Sequence, residues 1–151
     1  MNIKGAIFDL DGTLTDSMYI WLKAPVDLVR RYGGDPPADL ARDLKEMGRR
    51  EAAEYLRSRF SLSTTPEELM DTLNDLVTEE YRSRVPMKPG ADKLLSRLAE
   101  RNIPCCIATA SEAFQARSAM ERLGLWPHFR FAVSCVQYGG KTRPDIYLEA
   151  A

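Results

Sequence analysis

The sequence predicts an α/β fold in which a parallel sheet is interrupted by a helical insertion. Three short apolar runs, at residues 3–10, 103–109 and Phe129–Ser134, have the pattern of parallel strands buried on both faces. Helical patterns alternate with the last two runs, and this alternation favours right-handed crossovers between parallel strands. Residues 15–86 carry several helical patterns and no strand pattern. We therefore expect one sheet, with helices on its faces, and a separate helical domain.

The first strand run stops at Asp11 and Gly12, and the helical patterns begin shortly after it. The insertion itself shows two helix starts. Asp35 followed by Pro36 has the pattern of an N-cap and a first-turn proline. Thr65 and Glu68 have the spacing of a capping box around a second first-turn proline. We expect an all-helical domain over residues 15–86.

The remaining residues, 1–14 and 87–151, are expected to form the α/β core. Leucines recur at one-face spacing over residues 91–101, and apolar residues do the same over 113–123. Gly124 follows the second pattern and is a typical helix stop. The tail of the chain therefore reads helix, strand, helix, strand.

Composition is that of a soluble globular protein, which we expect in the cytoplasm. Its 151 residues are 44% apolar and 28% charged, and its formal net charge is -1. No strong field attracts nucleic acid or anionic lipid, so we expect neither nucleic acid nor membrane as a partner. The N-terminus lacks the apolar segment of a signal peptide. The three cysteines, Cys105, Cys106 and Cys135, have neither disulfide nor zinc spacing, and we expect buried, reduced thiols.

The stretch from Asp9 to Gly12 is the richest in chemical groups. A buried strand delivers Asp9 and Asp11 to its carboxyl end, which is where open α/β sheets bind ligands. Gly12 allows a tight turn and a close approach of backbone N–H groups to an anion. Two carboxylates beside an anion site indicate phosphate chemistry with a metal ion.

This motif resembles the first motif of the haloacid dehalogenase superfamily of phosphohydrolases. Thr109 ends the second apolar run, as the hydroxyl residue of the second family motif does. Lys141, with Pro144 and Asp145 after it, resembles the basic third motif. The helical insertion lies where some members carry an α-helical cap. The resemblance covers the whole chain and implies a Rossmann-like core.

The resemblance also implies a role for each matching residue. Asp9 is expected to be the nucleophile that forms an aspartyl-phosphate, and Asp11 the general acid and then the base that activates water. Mg²⁺ is the implied cofactor, bound by an Asp9 carboxylate oxygen and the backbone carbonyl of Asp11. The residues expected to bind the phosphoryl group are Gly12, Thr109, Ala110 and Lys141.

A carboxylate at position 11 favours phosphoryl transfer over dehalogenation, because the dehalogenases of the family lack it. Residues 109–111 resemble the branch that holds β-phosphoglucomutases and phosphoglycolate phosphatases. We expect a Mg²⁺-dependent phosphatase that acts on a small phosphorylated metabolite. A phosphosugar mutase is one alternative, and a non-catalytic binding or assembly module is another.

The helical insertion is expected to supply substrate choice by closing over the site. Tyr19, Trp21 and residues 45–50 are candidates to face the substrate, and Arg49 and Arg50 could bind a second anionic group. The alternative for each is a solvated helical face. His128, the only histidine, is expected to be structural.

The family has a fourth, acidic motif at the end of a later strand, and no acidic pair follows the third motif here. Metal ligation is therefore expected to be incomplete. The first strand is central in this fold, so without later strands an apolar edge would be open to solvent. We expect the chain to be a fragment of a longer protein, with self-association through that edge as the other possibility.

Overall fold

The computed structural model describes residues 3–138 and 144–151. These residues form three strands and six α-helices, with short 3₁₀ turns between some of them. The strands are β1 (Ala6–Phe8), β2 (Cys105–Thr109) and β3 (Phe129–Ser134). The helices are α1 (Met18–Arg31), α2 (Arg49–Arg59), α3 (Pro66–Ser83), α4 (Ala91–Glu100), α5 (Ala113–Arg122) and α6 (Asp145–Ala150). Within these ranges no helix combines the length and apolarity needed to cross a lipid bilayer.

The three strands form one parallel sheet in the order β1–β2–β3. Every residue of β2 is buried, and because side chains alternate along a strand, both faces of β2 are covered. On one face Cys106 and Ala108 share a core cluster with Ile146 and Ala150 of α6. The α/β fold class predicted from the sequence is confirmed.

The first strand is shorter and more exposed than its apolar run predicts. Residues 3–10 have a strand pattern, but only Ala6–Phe8 are in the ladder, and Ile7 is 41% exposed. Among the described strands β1 pairs with β2 alone, so its other edge is unpaired within this sheet, as expected. The Phe8 ring still packs edge-on against Phe129, at 6.2 Å between centroids.

The helix stop predicted at Gly124 is confirmed by its backbone. Gly124 has a φ of +71°, in the left-handed region. Its N–H donates to the carbonyl of Glu121 at 3.1 Å, and the N–H of Leu125 donates to Met120 at 2.8 Å. This pair of bonds is a Schellman motif, which satisfies the last carbonyls of α5.

The chain divides into two compact units, one of Met1–Ser17 with Tyr81–Ala151 and one of Met18–Glu80. The bounds of the second unit differ from the expected residues 15–86, and its C-terminal boundary falls within α3. The second unit is helical and has its own core. One core cluster of this unit consists of the buried apolar residues Val26, Leu28, Val29, Leu40, Ala53, Leu56, Leu62 and Leu69.

The helix expected to start at Asp35 is wrong. Residues 35–37 have no regular structure, and only a 3₁₀ turn at Leu40–Arg42 follows. A second proline stands directly after Pro36, and a residue that precedes proline is disfavoured in the helical region. Pro36 is therefore disfavoured as the first residue of a helix.

The helix start predicted at Thr65 is confirmed. The Thr65 hydroxyl accepts from the N–H of Glu68 at 3.1 Å, and the Glu68 carboxylate accepts from the N–H of Thr65 at 3.0 Å. This is a complete capping box, with Pro66 at the first helical position of α3.

The two chain segments that flank the helical unit pair with each other, and we call them the paired connections (residues 14–16 and 86–88). The N–H of Asp16 donates to the carbonyl of Pro86, and the N–H of Lys88 donates to that of Leu14, each at 2.9 Å. Thr15 forms an antiparallel bridge with Met87 between them. The Lys88 ammonium also lies 2.8 Å from the Asp16 carboxylate.

Candidate active site

The loop after β1 carries both predicted carboxylates, and several hydrogen bonds fix its backbone. The N–H of Leu10 donates to Oδ1 of Asp9 at 2.8 Å. The carbonyl of Leu10 accepts from the N–H of Leu14 at 2.9 Å and from that of Thr15 at 3.0 Å. Leu10 itself is fully buried. Asp9 and Asp11 therefore stand on either side of a fixed residue at the carboxyl end of the strand.

Gly12 forms the tight turn that the sequence predicts. Its φ of +76° is in the left-handed region that favours glycine. Its N–H donates to the carbonyl of Thr15 at 2.8 Å. In the structure this N–H closes the loop, and the expected role of Gly12 in binding a phosphoryl group stays a prediction.

The Asp11 carboxylate accepts hydrogen bonds from three side-chain hydroxyls, which we call the hydroxyl cluster (Ser17, Tyr81 and Ser111). Ser17 donates to Oδ1 at 2.5 Å, and the Tyr81 hydroxyl donates to the same oxygen. Ser111 donates to Oδ2 at 2.7 Å. The cluster fixes Asp11 from three separate parts of the chain.

All three members of the hydroxyl cluster are buried. Tyr81 has no exposed surface, and its hydroxyl also lies 3.1 Å from that of Ser111. Burial, and then the hydrogen bond with Asp11, raise the pKa of the Tyr81 hydroxyl well above its usual range. Tyr81 is thus a neutral hydrogen-bond donor across the working pH range.

The second strand ends beside this loop. Thr109 is the last residue of β2 and is fully buried. Its Oγ1 accepts from the N–H of Ser111 at 3.0 Å, and Ser111 in turn reaches Asp11. Ala110, between them, is exposed. The structure thus brings the end of β2 to the loop after β1, while Lys141 lies outside the described residues.

The residues expected to hold Mg²⁺ offer two hard oxygen ligands, one carboxylate and one backbone carbonyl. Asp9 is half-buried at the carboxyl end of β1, and the Asp11 carbonyl belongs to the same loop. Within residues 3–138 and 144–151 no group of three or more His, Cys, Asp or Glu side chains is placed to hold a metal. One carboxylate with one carbonyl fits Mg²⁺, which keeps several water ligands and binds few carboxylates.

Two of the candidate substrate residues of the helical unit, Tyr19 and Arg50, have partners within that unit. The Tyr19 hydroxyl donates to Glu80 at 2.9 Å. The Arg50 guanidinium lies 3.2 Å from Glu54 and 3.0 Å from Glu67. These exposed pairs favour the solvated-face alternative for Arg50.

Trp21 and Arg49 are exposed in the same unit, and their assignment to the substrate stays a prediction. His128 lies in a 3₁₀ turn before β3 and is half-buried.

Sequence reasoning missed the hydroxyl cluster as part of the site. Ser17 and Ser111 stand close to predicted site residues, so proximity in the sequence could have suggested them. Tyr81 stands 70 positions from Asp11, at the end of a helical pattern where a tyrosine is usually a core residue. Only the fold brings it to the loop after β1.

Comparison with known proteins gives named relatives of similar sequence and fold. Hexitol phosphatase A from Escherichia coli K12 is 30% identical, over 100% of this chain and 68% of its own length. Several other curated relatives also carry phosphatase names. The crystal structure of β-phosphoglucomutase from Clostridium difficile has a TM-score of 0.70 and 25% identity, over 99% of this chain and 70% of that one.

A magnesium-bound protein is also among the similar structures. It is a Bacillus subtilis protein solved bound to magnesium, with a TM-score of 0.76 and 17% identity over 99% of this chain and 73% of that one. The identity is low enough that the likeness shows the fold alone.

The family model for haloacid dehalogenase-like hydrolases matches residues 6–151. The match includes the loop after β1, both later strands and the helical unit. The chain spans about two thirds of the length of the curated relatives that it matches. With the α/β sheet and the carboxylates at its edge, this match assigns the chain to the haloacid dehalogenase-like hydrolase family, in the branch of the phosphatases and β-phosphoglucomutases.

Proposed function

We propose that the protein is a phosphohydrolase for a small phosphorylated metabolite, in the class of sugar and polyol phosphates. The observation that carries the proposal is the family match together with the position of Asp9 and Asp11 at the carboxyl end of β1. The phosphatase names of the curated relatives support hydrolysis as the reaction.

Asp9 is the proposed nucleophile. Its carboxylate oxygen attacks phosphorus, the bond from phosphorus to the substrate oxygen breaks, and an aspartyl-phosphate results. The N–H of Leu10, at 2.8 Å from Oδ1, orients the carboxylate. One oxygen is thus held by the backbone during the attack.

Asp11 is the proposed general acid and base. It gives a proton to the departing substrate oxygen, and it then takes one from the water that attacks the aspartyl-phosphate. The products are the free alcohol and inorganic phosphate, and both carboxylates return to their starting state.

Thr109 and Lys141 are the proposed phosphate-binding side chains, and Ala110 contributes backbone beside them. Thr109 stands at the end of β2, next to the loop that carries Asp9. A lysine ammonium there would neutralise charge on the transferring group. Gly12 is the fourth proposed phosphate-binding residue, and its N–H bond to Thr15 shapes the loop beside the phosphate.

Mg²⁺ is the proposed cofactor, held by the Asp9 carboxylate and the Asp11 carbonyl. When bound, it neutralises charge between the nucleophile and the phosphate. The hard oxygen donors of this loop, one carboxylate and one carbonyl, support the choice of metal, because Mg²⁺ binds few carboxylates and keeps several water ligands.

Residues 18–80 are the proposed cap, which selects the substrate and excludes bulk water from the reaction. A separate helical core between two linkers supports this assignment. The three free, buried thiols support a reducing compartment, and we propose the cytoplasm.

The test is hydrolysis of p-nitrophenyl phosphate by the chain, with and without Mg²⁺, beside an Asp9→Asn variant. We expect turnover that needs Mg²⁺ and falls by at least about a thousandfold in the variant, because the nucleophile is removed. Asp16→Asn is the matched control, since Asp16 belongs to the paired connections and not to the proposed chemistry. Equal activity of wild type and Asp9→Asn would overturn the proposal.

A phosphosugar mutase is the second candidate, favoured by the likeness to β-phosphoglucomutase. In a mutase the aspartyl-phosphate waits for a second substrate hydroxyl instead of water. Steady phosphate release from a sugar monophosphate without a bisphosphate primer would exclude this candidate. A folded chain that forms no aspartyl-phosphate analogue with beryllium fluoride would favour the non-catalytic alternative.

A further inference from the structure

The hydrogen-bond donors of the hydroxyl cluster can be compared with the acceptor positions of the Asp11 carboxylate. Ser17, Tyr81 and Ser111 carry one hydroxyl proton each, and each donates to the Asp11 carboxylate. A carboxylate oxygen accepts at most two such bonds in its own plane. The three bonds therefore occupy three of four acceptor positions.

The two oxygens of Asp11 are unequal as a result. Oδ1 accepts from both Ser17 and Tyr81, so its two positions are taken. Oδ2 accepts from Ser111 alone, at 2.7 Å. Within the hydroxyl cluster, one acceptor position of Oδ2 therefore remains open. When the Asp11 carboxyl group is protonated, its proton occupies that position.

We propose that Tyr81 is a positioning residue, which together with Ser17 holds Oδ1 of Asp11 so that Oδ2 is the oxygen that exchanges protons with the substrate. This inference rests on the proposed function, because it assigns the atom through which Asp11 acts. Tyr81 itself does not touch the reacting atoms. It acts by fixing the rotation of the carboxylate about its own axis.

The backbone of Tyr81 is also held from a separate helix. Nε of Arg122, in α5, donates to the Tyr81 carbonyl at 3.2 Å, and the same guanidinium donates to the carbonyl of Val85. The side chain of Tyr81 is fully buried and has one hydroxyl. Because the ring is buried and the backbone is held, the Tyr81 hydroxyl has little freedom to move. A hydroxyl fixed in this way can orient a neighbouring carboxylate.

The leaving group of the substrate distinguishes positioning from a merely structural role. Nitrophenolate departs without a proton, whereas an alkoxide needs one from Asp11. We expect Tyr81→Phe to lower kcat for glycerol 3-phosphate by about tenfold, with KM nearly unchanged. For p-nitrophenyl phosphate we expect less than about a threefold loss in the chemical step that forms the aspartyl-phosphate, measured as the nitrophenolate burst.

The control variant is Tyr32→Phe. It removes a tyrosine hydroxyl that lies 2.9 Å from Thr72 within the helical unit, and we expect unchanged rates with both esters. Equal losses with both esters in Tyr81→Phe would overturn the inference, because a damaged fold slows both reactions alike. No loss with either ester would also overturn it.

A double-mutant cycle provides a readout that does not depend on activity. If Tyr81 and Asp11 are bonded, the stability loss of Tyr81→Phe with Asp11→Ala is clearly smaller than the sum of the two single losses. Additive losses would overturn the inference. Strong coupling without turnover of either ester by the wild type would instead overturn the proposed function, and with it the catalytic use of the contact.

Discussion

The three thiols illustrate what burial does to a single residue. Cys105, Cys106 and Cys135 are all buried and unpaired as thiols. Burial raises the pKa of Cys105 and of Cys106 above the ordinary thiol value. Cys106 also donates to the carbonyl of Ala150 at 3.3 Å. Both features reduce the fraction of reactive thiolate.

We expect the native chain to react with a thiol reagent at least about a hundredfold more slowly than the unfolded chain, because thiolate and access are both required. The measurement is the release of thionitrobenzoate at pH 8, with and without denaturant. Ser63→Cys, at an exposed position, is the positive control and should react at once. Rapid labelling of Cys105 or Cys106 in the folded wild type would contradict this.

Site residues whose place follows from a local sequence pattern could be predicted from the sequence. Site residues that reach the site by a long-range contact could not. Asp9 and Asp11 follow a strand pattern, so their placement at its carboxyl end required only periodicity and chain order. Tyr81 reaches Asp11 across 70 positions, and no local pattern marks that contact. The bond from the Gly12 N–H to the Thr15 carbonyl could not be predicted either, because the two groups meet only when the loop is closed.

At the scale of elements, the capping box of α3 allows a test of local stability. The Thr65 side chain receives the N–H of Glu68, so Thr65→Ala leaves that donor without its partner. We expect a loss of about 1 kcal/mol in the free energy of unfolding, measured by urea denaturation. Ser63→Ala, two positions earlier and outside the box, should change stability by less than half as much. Equal losses would contradict the role of the cap.

The same capping box predicts that the free energy of unfolding depends on pH in the acidic range. Hydrogen bonds from the Thr64 hydroxyl and then from the Thr65 N–H hold the pKa of Glu68 below its usual value. Its stabilising contribution is therefore complete above the unfolded-state pKa and is lost as the pH falls through the folded-state pKa.

Glu68→Gln should accordingly destabilise the chain at pH 7 and matter less near pH 3, as seen in urea midpoints at the two values. Glu67→Gln, at the neighbouring exposed position, is the control for general charge effects. A larger effect of Glu68→Gln at pH 3 than at pH 7 would contradict the assignment.

Element boundaries followed the sequence where a specific cap or stop was present. Thr65 and Gly124 mark such positions, and the structure places a helix end at each. Asp35 and Pro36 had the same type of signal, but the second proline after them excluded a helix. The strand run at 3–10 overestimated β1, because hydrophobicity records apolar side chains and not whether a neighbouring strand is present on each side.

On the scale of the whole molecule, two separate cores imply two separate responses to damage. Leu28 is 1% exposed in the core of the helical unit, and Leu28→Ala should cost about 2–5 kcal/mol there. We expect faster amide hydrogen exchange within residues 18–80 than in the wild type and little change in β2 and β3. Ile107→Ala, in the centre of β2, should give the opposite pattern. Uniform acceleration in both units would contradict independent cores.

The exposed edge of the sheet carries the prediction of self-association. Among the described strands β1 pairs on one side only, and Ile3 and Ile7 are more than two-fifths exposed. We predict concentration-dependent dimerisation, to be followed by sedimentation velocity, and its reduction in Ile7→Lys, since a charged side chain blunts an edge strand. Leu148→Lys, at an exposed helical position, is the control. A strictly monomeric chain at high concentration would contradict the prediction.

The paired connections have a consequence for how such a protein can be rebuilt. Because residues 14–16 and 86–88 bond to each other, the chain leaves the sheet unit and returns to it at points about 5 Å apart, as in any antiparallel ladder. An insert at this place needs only two neighbouring ends and no particular length or architecture. A helical unit of another shape could therefore be grafted between Ser17 and Tyr81, just inside the paired connections, so that the sheet unit and the hydroxyl cluster stay unchanged while the effect on substrate choice is measured.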